Sequence, residues 1–202
     1  MKKNILISTG GSGGHVIPAT ILYDHLSKTN KLIISTDKRG LKYLDRNSYE
    51  IKIIDMPRLN NIFLLPLNLI RILLQIIKSF FLLKKKKIDC IISTGGYMSL
   101  PLIIASKLLG VKIFLLEPNL VLGRANRIFL NSCKKIFCYN YKLKNFPNNY
   151  ENKIVRINPL IRKEFYNVKG NSNKNKKFKK LIVCGSQGAE IFDNKLTDII
   201  IN

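Results

Sequence analysis

The stretch "STGGSGGHVIPA", residues 8–19, decides how this chain is read. It places four glycines in five positions directly after an apolar run, "NILIST" (4–9), and then a histidine and a proline. The run reads as a buried strand. "PATILYDHLSKT" (18–29) reads as a helix, with Pro18 near its first turn, where a missing N–H costs nothing. Strand, glycine turn and helix make the opening unit of an α/β domain. The same alternation continues downstream. "KLIIST" (31–36), "EIKIID" (50–55), "IDCIIS" (88–93), "VKIFLLE" (111–117) and "KIFCYN" (135–140) read as strands. "SLPLIIASKLLG" (99–110) and "GRANRIFLNS" (123–132) read as helices. Continuous apolar strands separated by helices predict a parallel sheet covered on both faces.

Three glycine-bearing turns follow three of the expected strands: "TGGSGGH" (9–15), "TGGYMSLP" (94–101) and "CGSQGA" (184–189). In a doubly wound sheet such turns lie at the carboxyl ends of the strands, where ligands bind. Glycine lets the backbone approach a ligand closely, and the next helix offers its positive end to an anion. Phosphate is the natural guess. The dinucleotide fingerprint is incomplete, because Val16 stands where its third glycine would be. Gly-Lys-Ser/Thr is absent, which excludes a nucleoside triphosphatase loop.

The chain has 202 residues, 46% of them hydrophobic, and a formal net charge of +23. A core is affordable, and an anionic partner is suggested: nucleic acid, anionic lipid or a phosphorylated substrate. The charge also fits a general compositional bias, since lysines are concentrated only at 84–87 and 174–180. Basic and aromatic residues do not interleave as in nucleic-acid readers, so nucleic acid is not the expected partner. The cysteines Cys90, Cys133, Cys138 and Cys184 lack metal-ligand spacing and read as buried thiols of a reducing compartment. The apolar run after Lys2 and Lys3 is too short for a signal-peptide core, so the expected location is cytosolic. "NVKGNSNKNKKFKK" (167–180) reads as a linker between a domain over 1–166 and the beginning of a second over 181–202.

"IFLLPLNLIRILLQIIKSFFLL" (62–83) is long enough to span a bilayer. Asn68, Arg71, Gln75 and Lys78, however, fall on one narrow helical stripe. A span would put Arg71 and Lys78 in hydrocarbon at about 2.5–3.5 kcal/mol each. An amphipathic helix avoids that cost. Ile70, Leu73, Leu74, Ile77, Phe80 and Phe81 would then touch the membrane, and Lys84 and Lys85 would meet anionic headgroups. A core helix with a solvated stripe is the other reading.

The segments "GGSGGHVIPA" (10–19), "GGYMSLP" (95–101), "LEPNLVLGRANR" (116–127), "NPLIRKEF" (158–165) and "GSQGA" (185–189) occur in an order that resembles the MurG family. That family comprises bacterial transferases that add N-acetylglucosamine to lipid I. The resemblance implies a GT-B fold of two Rossmann-like domains with the active site between them. It implies UDP-N-acetylglucosamine and undecaprenyl-linked lipid I as substrates, no cofactor, and a peripheral place on the cytoplasmic face of the inner membrane. The first domain would take the acceptor and the second most of the donor.

Carried over residue by residue, Ser12, Gly13 and Gly14 match loop positions that contact the UDP-sugar. His15 matches the loop histidine, a candidate general base or acceptor-orienting group; imidazole, which titrates near neutrality, suits taking a proton from a sugar hydroxyl. Capping its own helix is the plainer role. Tyr97 matches the tyrosine of the second glycine turn. Glu117 and Asn119 match a His-Glu-Gln-Asn segment that here reads Leu-Glu-Pro-Asn. Glu117 is the alternative proton acceptor. Arg162 matches a nucleotide-reaching arginine, and Ser186 and Gln187 the second domain's diphosphate loop. The implied chemistry is a single inverting displacement by the muramic 4-hydroxyl, with no metal ligand in the protein. A non-catalytic acceptor module that recruits a donor-binding chain is the competing expectation.

Overall fold

The computed structural model describes residues 2–57 and 62–167. Seven strands form one sheet: β1 (Asn4–Ser8), β2 (Lys31–Thr36), β3 (Ile51–Ile53), β4 (Cys90–Ser93), β5 (Lys112–Glu117), β6 (Lys135–Cys138) and β7 (Ile154–Arg156). Their order is β3-β2-β1-β4-β5-β6-β7, and each paired neighbour is parallel. Four helices connect them: α1 (Gly13–Leu26), α2 (Leu65–Lys85), α3 (Leu100–Leu109) and α4 (Arg124–Phe129). This is the doubly wound, Rossmann-like arrangement the apolar alternation predicts.

Successive strand side chains point to opposite faces, and both faces are covered. Leu6, Ile33, Ile91, Ile113 and Ile136 join Leu83 of α2, Leu102 and Ile103 of α3, and Phe129 of α4 in one core. Ile5, Ile7, Leu32, Cys90 and Ile92 pack with Ala19 of α1 on the other face. Cys90, Cys133 and Cys138 are buried free thiols, and burial pushes each of them up, Cys138 to about 12. Gly110 ends α3 at φ 69°, a left-handed cap that lets the chain turn into β5.

Three local expectations are corrected. α1 begins at Gly13, so Pro18 lies in its second turn and not near the start. Pro18 has no N–H to give the Gly14 carbonyl, and the flanking turn-to-sheet packing of Val16 and Ala19 holds the helix regardless. In α2 the polar stripe is not solvated as a unit. Asn68 is 3% exposed and Gln75 is half-buried, because the side with Asn68, Ile72, Ile76, Ser79 and Leu83 packs inward, where α2 meets α3. Phe80 likewise packs against the core. Strand β7, only three residues of "IVR", carries too little pattern to be anticipated.

The chain divides into one compact unit, Met1–Lys163, and a second, Glu164–Asn202, of which residues after 167 lie outside the described ones. The expected linker, the second domain's first strand, Cys184, Ser186 and Gln187 all fall there, apart from Asn167.

Candidate functional site

The strand order reverses between β1 and β4, whose carboxyl ends open the crevice where doubly wound folds bind ligands. The first two glycine turns leave these two strands side by side. Hydroxyls tie the turns together: Thr94 Oγ1 donates to Thr9 Oγ1 at 2.8 Å, and the Ser8 and Ser93 hydroxyls both donate to Ser99 Oγ at 3.0 Å. Gly95 and Gly96 take φ values of 101° and 89°, open to glycine and strained for other residues. A Cβ on Gly95 would lie 3.1 Å from His15 Cε1, so the imidazole rests on this bare backbone.

His15 bridges the crevice. Its Nδ1 lies 2.7 Å from the carbonyl oxygen of Thr94. A carbonyl only accepts, so Nδ1 carries a proton, and in the neutral form of the ring the lone pair is on Nε2. The side chain does not cap α1; the helix start is closed by the Ser12 carbonyl, which accepts from the amides of His15 and Val16.

His15, Tyr97, Glu117, Gly123, Arg124 and Asn126 line a cleft of about 420 Å³. Glu117, last residue of β5, is fully buried. Its Oε1 accepts from the amide and side chain of Asn119 at 3.2 and 3.0 Å, and its Oε2 from the Gly123 amide and Asn126 Nδ2 at 2.8 and 3.0 Å. Four donors converge on one carboxylate and organise the 118–123 loop around it. Asn126, 1% exposed, also donates to the Leu116 carbonyl, while its Oδ1 has no partner.

A second cluster adjoins the first glycine turn. Asp37, just past β2, accepts from the amides of Gly11 and Gly40 at 2.9 and 2.8 Å and from Arg39 Nε at 3.0 Å. Burial pushes its carboxyl up, but these donors outweigh burial and leave it below its ordinary value. Arg39 Nη2 reaches Tyr97 Oη at 3.3 Å, with the guanidinium over the ring.

The structure therefore brings His15, Tyr97 and Glu117 to one cleft and fastens Asn119 to Glu117. Ser12, Gly13 and Gly14 form the α1 start beside it, with Gly13 backed by Tyr43. Arg162 is exposed and is not among the residues that line the cleft. Asp37, Arg39 and Asn126 are the residues sequence reasoning missed; an acid at the end of "KLIISTD", just past a buried strand, was the available signal. Ile70, Leu73, Leu74, Ile77 and Phe81 of α2 are exposed, as are Lys84 and Lys85. α2 is the one helix among the described residues long and apolar enough to cross a membrane, with a mean hydropathy of 1.6. Among the described residues no three His, Cys, Asp or Glu side chains gather as a metal site.

Residues 5–138 match the glycosyltransferase family 28 N-terminal domain. A Pelagibacter ubique protein named UDP-N-acetylglucosamine–N-acetylmuramyl-(pentapeptide) pyrophosphoryl-undecaprenol N-acetylglucosamine transferase is 48% identical over 202 residues, covering 100% of this chain and 57% of the relative. A Rickettsia felis protein of the same name is 37% identical, over 95% of this chain and 55% of its own length. The chain thus spans a little over half of these relatives. The Acinetobacter baumannii MurG crystal structure superposes with a TM-score of 0.65 at 23% identity, over 80% of this chain and 47% of that one. A Neisseria meningitidis UDP-GlcNAc 2-epimerase bound to UDP-GlcNAc follows at 0.52 and 18%, over 76% of this chain and 45% of that one. The sheet order and the matched residues agree: this chain belongs to glycosyltransferase family 28, whose N-terminal domain it carries.

Proposed function

We propose that this chain is the acceptor-side part of an inverting transferase that moves N-acetylglucosamine from UDP-N-acetylglucosamine to the muramic 4-hydroxyl of lipid I, giving lipid II for peptidoglycan. The observation that carries the reading is the tautomer of His15. The Thr94 carbonyl holds Nδ1–H at 2.7 Å and leaves the Nε2 lone pair for a substrate hydroxyl at the cleft. His15 is the better proton acceptor of the two candidates, because every oxygen of Glu117 is already occupied by N–H donors. Glu117 and Asn119 shape the loop that bounds the acceptor sugar, and Tyr97 closes its other side. Ser12, Gly13 and Gly14 approach the departing diphosphate, whose charge the α1 N-terminus stabilises. The motif resemblance assigns Arg162, Ser186 and Gln187 to the donor. The donor is a substrate; no cofactor is needed for a displacement of this kind.

The exposed face of α2 supports a peripheral seat on the cytoplasmic leaflet, the apolar side chains entering the interface and Lys84 and Lys85 meeting anionic headgroups.

The test is transfer of labelled N-acetylglucosamine from its UDP donor to a lipid I analogue. It is run with this chain and with this chain joined to the remaining half of the Pelagibacter ubique relative. Transfer by the joined protein, reduced at least about 100-fold in H15A, supports the reading. Transfer equal in H15A removes His15 as the base. No transfer by either protein, with vesicles still bound, assigns the chain to a non-catalytic acceptor module.

A further inference from the structure

A second cleft, of about 380 Å³, adjoins the His15 cleft at Tyr97. Tyr97 lines both clefts. The second is built where β2, β3 and β4 end, and its remaining wall is the first half of α2, which contributes Arg71 and Gln75. We propose that this cleft holds the diphosphate of a prenyl-linked acceptor, with Arg71, Arg39 and Gln75 as its ligands; the assignment rests on the acceptor reading above.

Charge accounting points to an anion. Among the described residues three cations line the cleft, Lys38, Arg39 and Arg71, against two carboxylates, Asp37 and Asp55. Asp55 is satisfied by the Lys38 amide at 3.1 Å and the Lys38 ammonium at 3.3 Å. Asp37 is satisfied by two backbone amides and one edge of Arg39. Arg71 has no hydrogen bond or ion pair among the described residues, so its five N–H donors face the cleft or water. Arg39 spends Nε on Asp37 and keeps donors in the fork beside Tyr97 Oη. Two guanidinium forks with an amide and a phenol between them suit a group with many acceptor oxygens and more than one negative charge.

The surroundings say what is attached to that group. Arg71 and Gln75 flank Leu74, and Ile70 precedes them; Ile70 and Leu74 are among the exposed apolar side chains of α2. A ligand with its anionic head between Arg39 and Arg71 would therefore have an apolar chain running along α2 on one side. On the other side, past Tyr97, its sugar would meet His15. A nucleotide has no use for the apolar side.

The experiment is calorimetric titration of the 202-residue chain with geranyl diphosphate below its micellar concentration. Geranyl phosphate and inorganic diphosphate serve as comparison ligands. Saturable binding is expected, at least ten-fold weaker for R71Q and for geranyl phosphate, partly restored in R71K, and unchanged in K112Q at the opposite end of the sheet. Thermal melts confirm that each variant folds. Equal binding by R71Q overturns the proposal, as does absence of saturable binding in the unaltered chain. Inorganic diphosphate binding as tightly as its geranyl ester reassigns the cleft to a free phosphate compound and overturns the lipid assignment. None of these titrations depends on transfer: if the chain binds geranyl diphosphate through Arg71 while the joined protein never transfers sugar, the enzymatic reading fails and the cleft stays assigned.

Discussion

Replacing Glu117 by Gln separates the two roles a buried carboxylate can have in this cleft. Four N–H donors converge on it, two per oxygen. Gln is isosteric but keeps only one acceptor oxygen, so two of the four donors would face an NH₂ group. Asn126 cannot compensate by flipping, because its Nδ2 also serves the Leu116 carbonyl. Hydrogen bonds to an ionised group contribute about 1.5–3 kcal/mol each, so losing two costs about 3–6 kcal/mol. For a chain of this size each kcal/mol moves the melting temperature by roughly 2–4 °C, which predicts a fall of at least about 6 °C. Thermal unfolding at pH 7 followed by circular dichroism reads this directly. If E117Q melts within about 2 °C of the parent chain, the network is not what holds the loop. If the joined protein then loses transfer in E117Q and keeps it in H15A, Glu117 is the proton acceptor and the assignment to His15 is refuted.

Three other perturbations test separate pieces. Asp37 has a folded-state value below the ordinary 3.8, so its stabilising contribution is present above that value and is lost as pH falls through the folded one. D37N is expected to cost about 1–3 kcal/mol at pH 7, because Asn keeps one oxygen for the Gly11 and Gly40 amides but sets an NH₂ group against Arg39 Nε, and to flatten the loss of stability below about pH 4; urea unfolding across pH measures both, and an unchanged acid limb would show that Asp37 does not carry it. G95A forces φ 101° on an L residue and sets a methyl against His15, at about 1–3 kcal/mol of backbone strain. Imidazole ¹⁵N spectra should show His15 losing its fixed Nδ1–H form, and an unchanged spectrum would mean the ring is not seated on Gly95. On the proposed membrane seat, L73S combined with I77S should lower co-sedimentation with anionic vesicles at least about ten-fold while stability stays within about 0.5 kcal/mol. Equal sedimentation of the double variant would remove this face of α2 from the interface.

Much of the fold is legible because parallel strands announce themselves. "NILIS", "KLIIST", "CIIS" and "KIFLLE" are apolar without alternation, as strands buried on both faces must be, and Gly110 marks its helix end by the backbone it alone allows. The site is legible to the extent that glycine turns mark it. His15 and Tyr97 sit in such turns; Glu117 ends a strand beside them. What sequence could not supply is pairing across the sheet. Thr94 and His15 are 79 positions apart, and only the β1–β4 adjacency makes one fix the tautomer of the other. Asp37 and Asn126 were missed for the same reason: each does its work through backbone groups that sequence does not show.

The departure at α2 is the more instructive one. A helix that packs on a sheet through one face ordinarily keeps its apolar stripe inward. Here the inward line carries Asn68 and Ser79, both buried, and the outward line carries Leu69, Ile70, Leu73, Leu74, Ile77 and Phe81. Reading the polar stripe as the solvated side assumed that water was the only phase outside. The same residues are arranged economically if the outer phase is apolar and the polar stripe has a second task. Arg71 and Gln75 then stand at the boundary between the apolar face and the Tyr97 cleft, where an anionic head on an apolar chain would lie. One helix thus links two tests with opposite readouts. L73S with I77S should weaken vesicle binding and leave geranyl diphosphate affinity within about three-fold, whereas R71Q should do the reverse. If both folded variants lose both properties together, the two surfaces are one, and the division between a membrane face and a diphosphate cleft is overturned.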